Sequence, residues 1–476
     1  MHALCATWLA VFLASATISA PAAEDSWVGK RIMTKKGPID LRVKDENDEW
    51  KVVGKLLDAA VRVEKDDGRW IKVRSEGVAG WIDKGDAVLV ENARDYFSDR
   101  IRLDEKDAIA YQKRGWVSHE KGEYDDAIKD YDEAIQLDPK DAVAFSNRGL
   151  AWNAKNEHDK AIKDYDQAIR LDSKFAMAFN NRGWTWYLKK DYQRAHKDFD
   201  EAIRLNPQSR LALANRARCW SDLKEYDKAF KDYDELIRLD PTDARAFYTR
   251  AVACFDRKEF DKAIKDYDEA IRLDPGLAEL FHNRGLAWYW KNDYDKAIKD
   301  FGDAIRLDPN DAMTFNDRGW TWYMRKEYDR AIKDLDEANR LDPKLVLPLI
   351  NRAATWEQKK DYAKALKDRE EVIRLTPNDA DAIGVLAWSL ATCPDEKYRD
   401  GKRAVESAKK ACELSKYEKS HELDTLAAAH AEAGNFDEAI KWQRKAIEFP
   451  GIDKERLEKM GQRLKLYEAR KPYRQE

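Results

Sequence analysis

Small and apolar residues recur along this chain at a fixed interval of 34 positions between Ala108 and Asp379. Eight copies of one pattern begin at Ala108, Ala142, Ala176, Arg210, Ala244, Ala278, Ala312 and Val346. Position 4 of each copy is large and apolar (Tyr111, Phe145, Phe179), position 8 is Gly or Ala (Gly115, Gly149, Ala217), and position 11 is usually Trp (Trp152, Trp186, Trp220). That i, i+4, i+7 spacing marks one face of a helix. A second stripe follows at 20, 24 and 27, as in Ala229, Tyr233 and Leu236. Pro at position 32 in seven copies (Pro139 and Pro207 among them) then ends the helix, because Pro lacks an amide donor and pushes the residue before it out of helix. Each copy therefore predicts a helix hairpin in which the small residue at 8 faces the Ala present at 20 in every copy. Aromatics at 4, 11, 17 and 24 fill the remaining space. No single hairpin buries that surface, so neighbours must stack.

Two charged positions are as regular as the apolar ones. Position 7 is Arg in all eight copies, from Arg114 to Arg352, and position 23 is Asp in all eight, from Asp130 to Asp368. In an antiparallel hairpin these positions come close together. The pattern predicts an Arg–Asp pair inside each repeat, setting helix register more than adding stability.

The 34-residue period with this pattern resembles the tetratricopeptide repeat (TPR) family. The resemblance implies a right-handed superhelix of helix pairs whose first helices line a concave face that holds proteins or peptides. Before the repeats, short β-branched runs at 39–43, 50–53, 60–64, 70–74, 79–82 and 87–90 predict strands. Asp66-Asp67-Gly68 between two of them is a hairpin signal. Val61-Arg62-Val63, Trp70-Ile71-Lys72-Val73-Arg74 and Gly80-Trp81-Ile82 give residues 25–91 a resemblance to bacterial SH3-like barrels. That resemblance implies either cell-wall or protein-segment binding, or a structural spacer. Residues 93–105 match the second half of a repeat, predicting a capping helix over Ala93–Leu103 packed on the first repeat.

Beyond Asp379 the pattern loosens. Residues 380–451 read as two divergent repeats, and 452–476 as a capping helix with a tail frayed from Lys471. At the other end residues 1–23 carry no charged side chain, and Leu9–Ile18 precede Ala20-Pro21-Ala22. This predicts a signal peptide over 1–22, and hence a periplasmic or secreted protein with no integral membrane span after cleavage. The expected fold class is mainly α: about ten repeats and a capping helix, forming a superhelical solenoid after a small all-β barrel.

Composition narrows function. With 87 Lys+Arg against 91 Asp+Glu the net charge is −4, too balanced to single out nucleic acid as a partner. No metalloprotease, nucleophile-elbow, phosphate-loop or paired C-x-x-C motif is present, so no enzyme, cofactor or metal is expected. Cys219, Cys254, Cys393 and Cys412 read as buried free thiols, with Cys219–Cys254 the better placed alternative pair.

Candidate binding residues lie on the first helices. Position 6 is Asn147, Asn181, Asn215, Asn283 and Asn351, interrupted by Lys113, Thr249 and Asp317. A primary amide offers a donor and an acceptor together, matching peptide backbone without regard to side chains. The ladder resembles the Asn-lined groove of some long TPR superhelices; local capping or solvation is the other reading. Positions 9 and 12 add Trp116, Trp184, Trp320, Tyr187, Tyr289 and Tyr323 as partner anchors or inter-repeat packing. The expected function is a non-catalytic adaptor binding an extended protein or peptide segment. The alternative is a cell-wall protein attached through the barrel, with the repeats as spacer.

Overall fold

The structure is a computed structural model that describes residues 26–475 apart from 37–38, 46–48, 57–59 and 76–77. The expected signal peptide lies outside these residues. The chain divides into two compact units, Met1–Thr242 and Asp243–Glu476.

The first unit opens with seven strands: β1 Arg31–Thr34, β2 Ile39–Lys44, β3 Trp50–Leu56, β4 Val61–Asp66, β5 Trp70–Ser75, β6 Val78–Asp83 and β7 Ala87–Leu89. They form one strand-rich half-barrel in the order β3-β2-β6-β5-β4-β1-β7, every neighbouring pair antiparallel. Alternate residues Ile71, Val73, Ile82 and Val63 turn inward to a core with Ile32, Leu41 and Leu56. The expected hairpin joins β4 to β5, and Gly68 takes the left-handed conformation (φ +74) that the turn requires. The four-residue β1 was not expected from sequence, and the run ending at Val90 stops one residue short. Val90 starts a helix instead.

That helix runs Val90–Leu103 with no loop before it. Ala93, Phe97 and Ile101 bury against Ala110 and Val117 of the first repeat on one side and Met33 and Val88 of the sheet on the other. A shared core therefore fixes the half-barrel to the repeats. Ser98 accepts from Arg114 Nη1 at 3.3 Å, the place where later repeats put an Asp.

Four helix hairpins complete the unit: Ala108–Glu120 with Tyr124–Leu137, Ala142–Ala154 with His158–Leu171, Ala176–Leu188 with Tyr192–Leu205, and Arg210–Asp222 with Tyr226–Leu239. Each second helix ends on the Leu at position 30, ahead of the Pro. A polar residue at position 34 caps the next first helix, as Asp107 accepts from the Ala110 amide and Asp141 from those of Val143 and Ala144, whereas Phe175 at the same position makes no side-chain cap. Position 15 turns the hairpin in the left-handed region. Gly122 does so without strain, but Asn156, Lys190 and Lys224 also sit at φ 60–61.

The second unit contains Ala244–Asp256 with Phe260–Leu273, Ala278–Trp290 with Tyr294–Leu307, Ala312–Met324 with Tyr328–Leu341, and Val346–Gln358 with Tyr362–Leu375. Then come Ala380–Thr392 with Gly401–Leu414, Ser420–Glu432 with Phe436–Ile447, and a last helix, Lys454–Glu468. The tail is not frayed as expected. The Gln475 amide donates to Thr392 O at 2.9 Å, and Arg474 pairs with Glu432 at 2.5 Å. All four cysteines outside residues 1–25 are buried free thiols.

The close approach at position 8 also differs in detail. A Cβ on Gly149 would stand 2.7 Å from Cε1 of Tyr165, and one on Gly183 2.9 Å from Phe199, so position 8 receives chiefly the ring at 24. The carbonyl of the Ala at 20 comes next, 3.2 Å away at Gly115 and Gly319.

The expected Arg–Asp pairs form in all eight regular repeats. Each is a two-bond fork: Arg182 Nε and Nη2 donate to Asp198 at 2.8 and 2.6 Å, and Arg352 to Asp368 at 2.9 and 2.6 Å. The free Nη1 then reaches the Asp at position 25 of the preceding repeat, as in Arg148–Asp132, Arg182–Asp166 and Arg284–Asp268 at 2.6–2.7 Å. This inter-repeat bond was not foreseen. It is missing at Arg318, where the preceding position 25 is Gly302, 3.7 Å from the Arg318 Nη1 as a built Cβ. Gly302→Asp is therefore expected to stabilise the second unit by about 0.5–1.5 kcal/mol, with the ion-pair share lost at high salt. Gly302→Ala gives only the salt-independent helix gain of about 1 kcal/mol. Thermal unfolding of both variants at low and high salt distinguishes them.

Candidate functional site

Positions 4, 8 and 11 of the first helices face their own second helices, and 7 is taken by the clamp. Positions 2, 5, 6, 9, 12 and 13 form the remaining face. Its side chains meet between neighbouring repeats, 31 or 35 residues apart. In the first unit Asn215 Nδ2 donates to Asn180 Oδ1 at 2.9 Å, and Asn180 Nδ2 to Asn181 Oδ1 at 3.2 Å. In the second, Asn283 Nδ2 donates to the Tyr248 hydroxyl at 3.3 Å and Asn351 Nδ2 to Asn316 Oδ1 at 2.9 Å. Three of the five ladder amides thus spend one donor on position 5 of the preceding repeat, and each retains a second N–H and its carbonyl oxygen. Asn181 is buried, and its Nδ2 has no partner. Asn147 is half-buried.

Aromatics stack along the same face. Trp184 and Tyr187 lie 4.8 Å apart, with the Arg218 guanidinium 5.6 and 5.8 Å from their centroids, and the Tyr187 hydroxyl meets Asp222. Trp320 and Tyr323 stack at 4.5 Å, and Trp320 Nε1 donates to the Tyr289 hydroxyl at 2.8 Å. Trp116 is different: Arg31 of β1 covers it at 5.7 Å and pairs with Glu120 at 2.9 Å. The half-barrel occupies this end of the face. It also explains the first break in the ladder, since Lys113 is buried with its Nζ 3.1 Å from Thr34 Oγ1.

Sequence reasoning missed the outermost positions. Among repeats one to eight the exposed large apolar side chains are Ile109, Met177, Leu188, Leu211, Leu223, Trp290, Met324, Leu347 and Ile350. All but Leu223 stand at position 2, 5 or 13. An apolar residue repeatedly placed off the buried stripe was the available signal.

At Asp317 the ladder carries an acid. Its Oδ2 lies 3.5 Å from His282 Nε2 and its Oδ1 accepts from Asn316 at 3.0 Å, while His282 Nδ1 meets Thr314 Oγ1 at 2.7 Å and Thr314 donates to Asp311. Burial pushes the Asp317 carboxyl up to about 7 and holds His282 below its ordinary value. Elsewhere Asp381, His421 and Glu422 cluster, but the Lys419 ammonium already sits 2.8 Å from Asp381 and 3.4 Å from Glu422. Cys219 lies 3.3 Å from His196 Nε2, yet burial drives its thiol up to about 12, the opposite of a nucleophile. Among the described residues no helix is long and apolar enough to cross a membrane.

Comparison with known proteins agrees with this geometry. Models of the TPR repeat match residues 115–152, and tetratricopeptide repeat models match 142–175, 187–244, 244–277, 278–311 and 423–449. These stretches are tetratricopeptide repeats, set in a mainly helical solenoid that follows a strand-rich half-barrel. Similar solved structures include YrrB, described as a TPR protein with an unusual peptide-binding site (23% identity, 41% of this chain and 97% of that one, TM-score 0.34). Yeast Tom70 is another (18%, 77% and 96%, 0.38), as is part of a TPR repeat-containing protein from Cytophaga hutchinsonii (18%, 49% and 96%, 0.43). No curated protein gives a significant match.

The acid in the ladder makes a pH-dependent prediction. The folded-state value near 7 lies above the ordinary 3.8, so the folded chain keeps a proton on Asp317 that the unfolded chain has lost, and stability falls as pH rises from about 3.8 to about 7 and levels off above. Asp317→Asn should raise stability by about 4 kcal/mol at pH 8 and by only about 1–2 kcal/mol at pH 5. Melting of both proteins at the two pH values reads this directly.

Proposed function

We propose that the protein is a non-catalytic scaffold that holds an extended protein segment on the exposed face of its first helices. The observation that carries this reading is the placement of the apolar side chains left in water. Eight of the nine in the regular repeats stand at these first-helix positions, four in each unit, in a chain whose residues are 37% charged. Such a stripe is stable in water only at a cost unless a partner covers it. Within each unit the amides, Asn215 in the first and Asn283 and Asn351 in the second, meet the backbone of a segment, and the ring pairs Trp184–Tyr187 and Trp320–Tyr323 receive side chains. The signal peptide expected at residues 1–22 places this work outside the cytoplasm.

A second reading concerns the half-barrel, which we take to be SH3-like. Trp50 and Trp70 lie 4.7 Å apart with their rings tilted by 31°, and Lys44 and Arg69 stand over them at 5.6 Å. This aromatic and cationic patch is the feature through which the protein would grip the cell wall.

Pull-down from envelope extract tests the first reading. The mature protein is compared with an Asn181→Ala, Asn215→Ala, Asn283→Ala variant and with a Met177→Asp, Leu211→Asp, Met324→Asp variant, all checked for equal helicity. Recovery of the specific partner is expected to fall about tenfold or more in both, given the cost of burying an unpaired charge or losing paired amides. Partners retained by both variants place function elsewhere. Co-sedimentation with purified wall, lost in Trp70→Ala, is what the second reading requires.

A further inference from the structure

The tail after the last helix lies on the same face of the divergent repeats that stays open in the regular ones. Counting the ninth and tenth repeats from Ala380 and Ser420, Trp388 stands at position 9, Thr392 at 13 and Glu432 at 13. Tyr473 sits against Trp388 with ring centroids 5.8 Å apart, and the Arg463 guanidinium lies 5.4 and 5.5 Å from the two rings. Arg474 Nη1 pairs with Glu432 Oε2 at 2.5 Å, and the Gln475 amide donates to Thr392 O at 2.9 Å. Gln475 also lines a small cavity with Glu357 and Gln358, positions 12 and 13 of the eighth repeat. The tail has no regular secondary structure; its remaining contacts are the Lys471 amide on Leu466 O at 2.8 Å, two long hydrogen bonds of 3.5 Å from Arg474 to Ala391 O and from Thr392 Oγ1 to Gln475 Oε1, and the packing of Tyr473 at the edge of the core.

An independent observation in the other unit has the same chemistry. There β1, again a segment from outside the repeats, lays Arg31 over Trp116 at position 9 and pairs it with Glu120 at position 13. Twice, then, the first-helix face takes a non-repeat segment through a tryptophan at 9 and a carboxylate at 13, with an arginine on the carboxylate. Glu432 is held in place for this by Arg399 at 2.9 Å.

We propose that Lys471–Gln475 is a displaceable internal occupant of the face formed by repeats eight to ten, and that the ligand of this stretch is a peptide presenting an aromatic residue followed by arginine. This rests on the reading that the first-helix face binds extended segments, and it adds the ligand chemistry and its regulation. Because the tail is tethered, it holds the face at high effective concentration with weak contacts, and a partner of matching chemistry must exceed that concentration or bind better. Guanidinium on carboxylate and ring on ring together recognise the pair, where either alone is non-selective.

The probe is a fluorescent peptide with the sequence of residues 469–475, Ala-Arg-Lys-Pro-Tyr-Arg-Gln, measured by anisotropy. The full chain is compared with a chain ending at Arg470 and with a full-length Tyr473→Ala, Arg474→Ala variant, which keeps the backbone in place should the shortened chain fold poorly. Tenfold or tighter binding is expected once the tail is removed or disarmed. Glu432→Gln or Trp388→Ala in those backgrounds should weaken it at least fivefold, while Glu201→Gln on the self-paired second-helix surface leaves it unchanged. Equal binding to intact and tail-less chains, no binding to either, or indifference to Glu432→Gln overturns the proposal. The test is separate from that of the scaffold reading, because it uses a defined peptide and residues outside the asparagine ladder.

Discussion

The arginine at position 7 is the constraint on which the repeats depend. Its planar fork binds one carboxylate of its own hairpin with two parallel bonds, and its remaining nitrogen reaches a carboxylate of the repeat before. Its flat face lies over the ring at position 4, 5.5 Å away for Arg182 and Phe179. A lysine could satisfy one of these demands but not all, having a point charge and no fork. Desolvating so many charges brings little net stability, so the arrangement matters mainly for geometry. It fixes how one helix slides along its partner and how one hairpin sits on the next. Where the clamp ends, at Leu386 and Leu426, other arginines take over: Arg463 forks onto Asp424 at 3.0 and 2.7 Å with both side chains nearly buried.

The clamp also determines where binding can occur. Once positions 4, 7, 8 and 11 are committed inward, only 2, 5, 6, 9, 12 and 13 of the first helix remain available to a partner. The second helices are stabilised outwardly by charges. The Glu or Asp at position 26 pairs along its own helix with the Arg at 29, as in Glu201–Arg204, Glu235–Arg238 and Glu337–Arg340. That surface is solvated and self-paired. The first-helix face instead offers apolar side chains, amides and stacked rings, which is the composition of a surface made to be covered.

Much of this was legible in the sequence because a 34-residue period repeats each physical reason eight times. Gly115 and its equivalents announced close helix contact, and Arg114 with Asp130 announced the fork. What stayed hidden depends on geometry between repeats. The bond from Asn215 to Asn180 spans 35 residues, and no pattern within one repeat shows that the amide is already engaged. The left-handed turn at position 15 was hidden by Lys190 and Lys224, although Gly122 and Asn156 carried the usual signal. β1 is too short and the tail too irregular for any periodicity, so both emerged only through what they touch: Trp116 and Lys113 for one, Trp388 and Glu432 for the other.

On the proposed reading, a perfectly regular run of first helices within one unit would hold a segment equally well in every register, shifted by one repeat at a time. The departures from regularity remove that degeneracy. At position 6, Lys113 is consumed by Thr34, Thr249 turns its hydroxyl back to its own helix at Arg245 O and Ala246 O, and Asp317 joins His282. None of the three presents an amide. On the proposed reading, a segment that needs one there would lose a hydrogen bond it made with water, a cost met in the wrong register and absent from the right one. The interruptions of the ladder would then do for register what the asparagines cannot do alone.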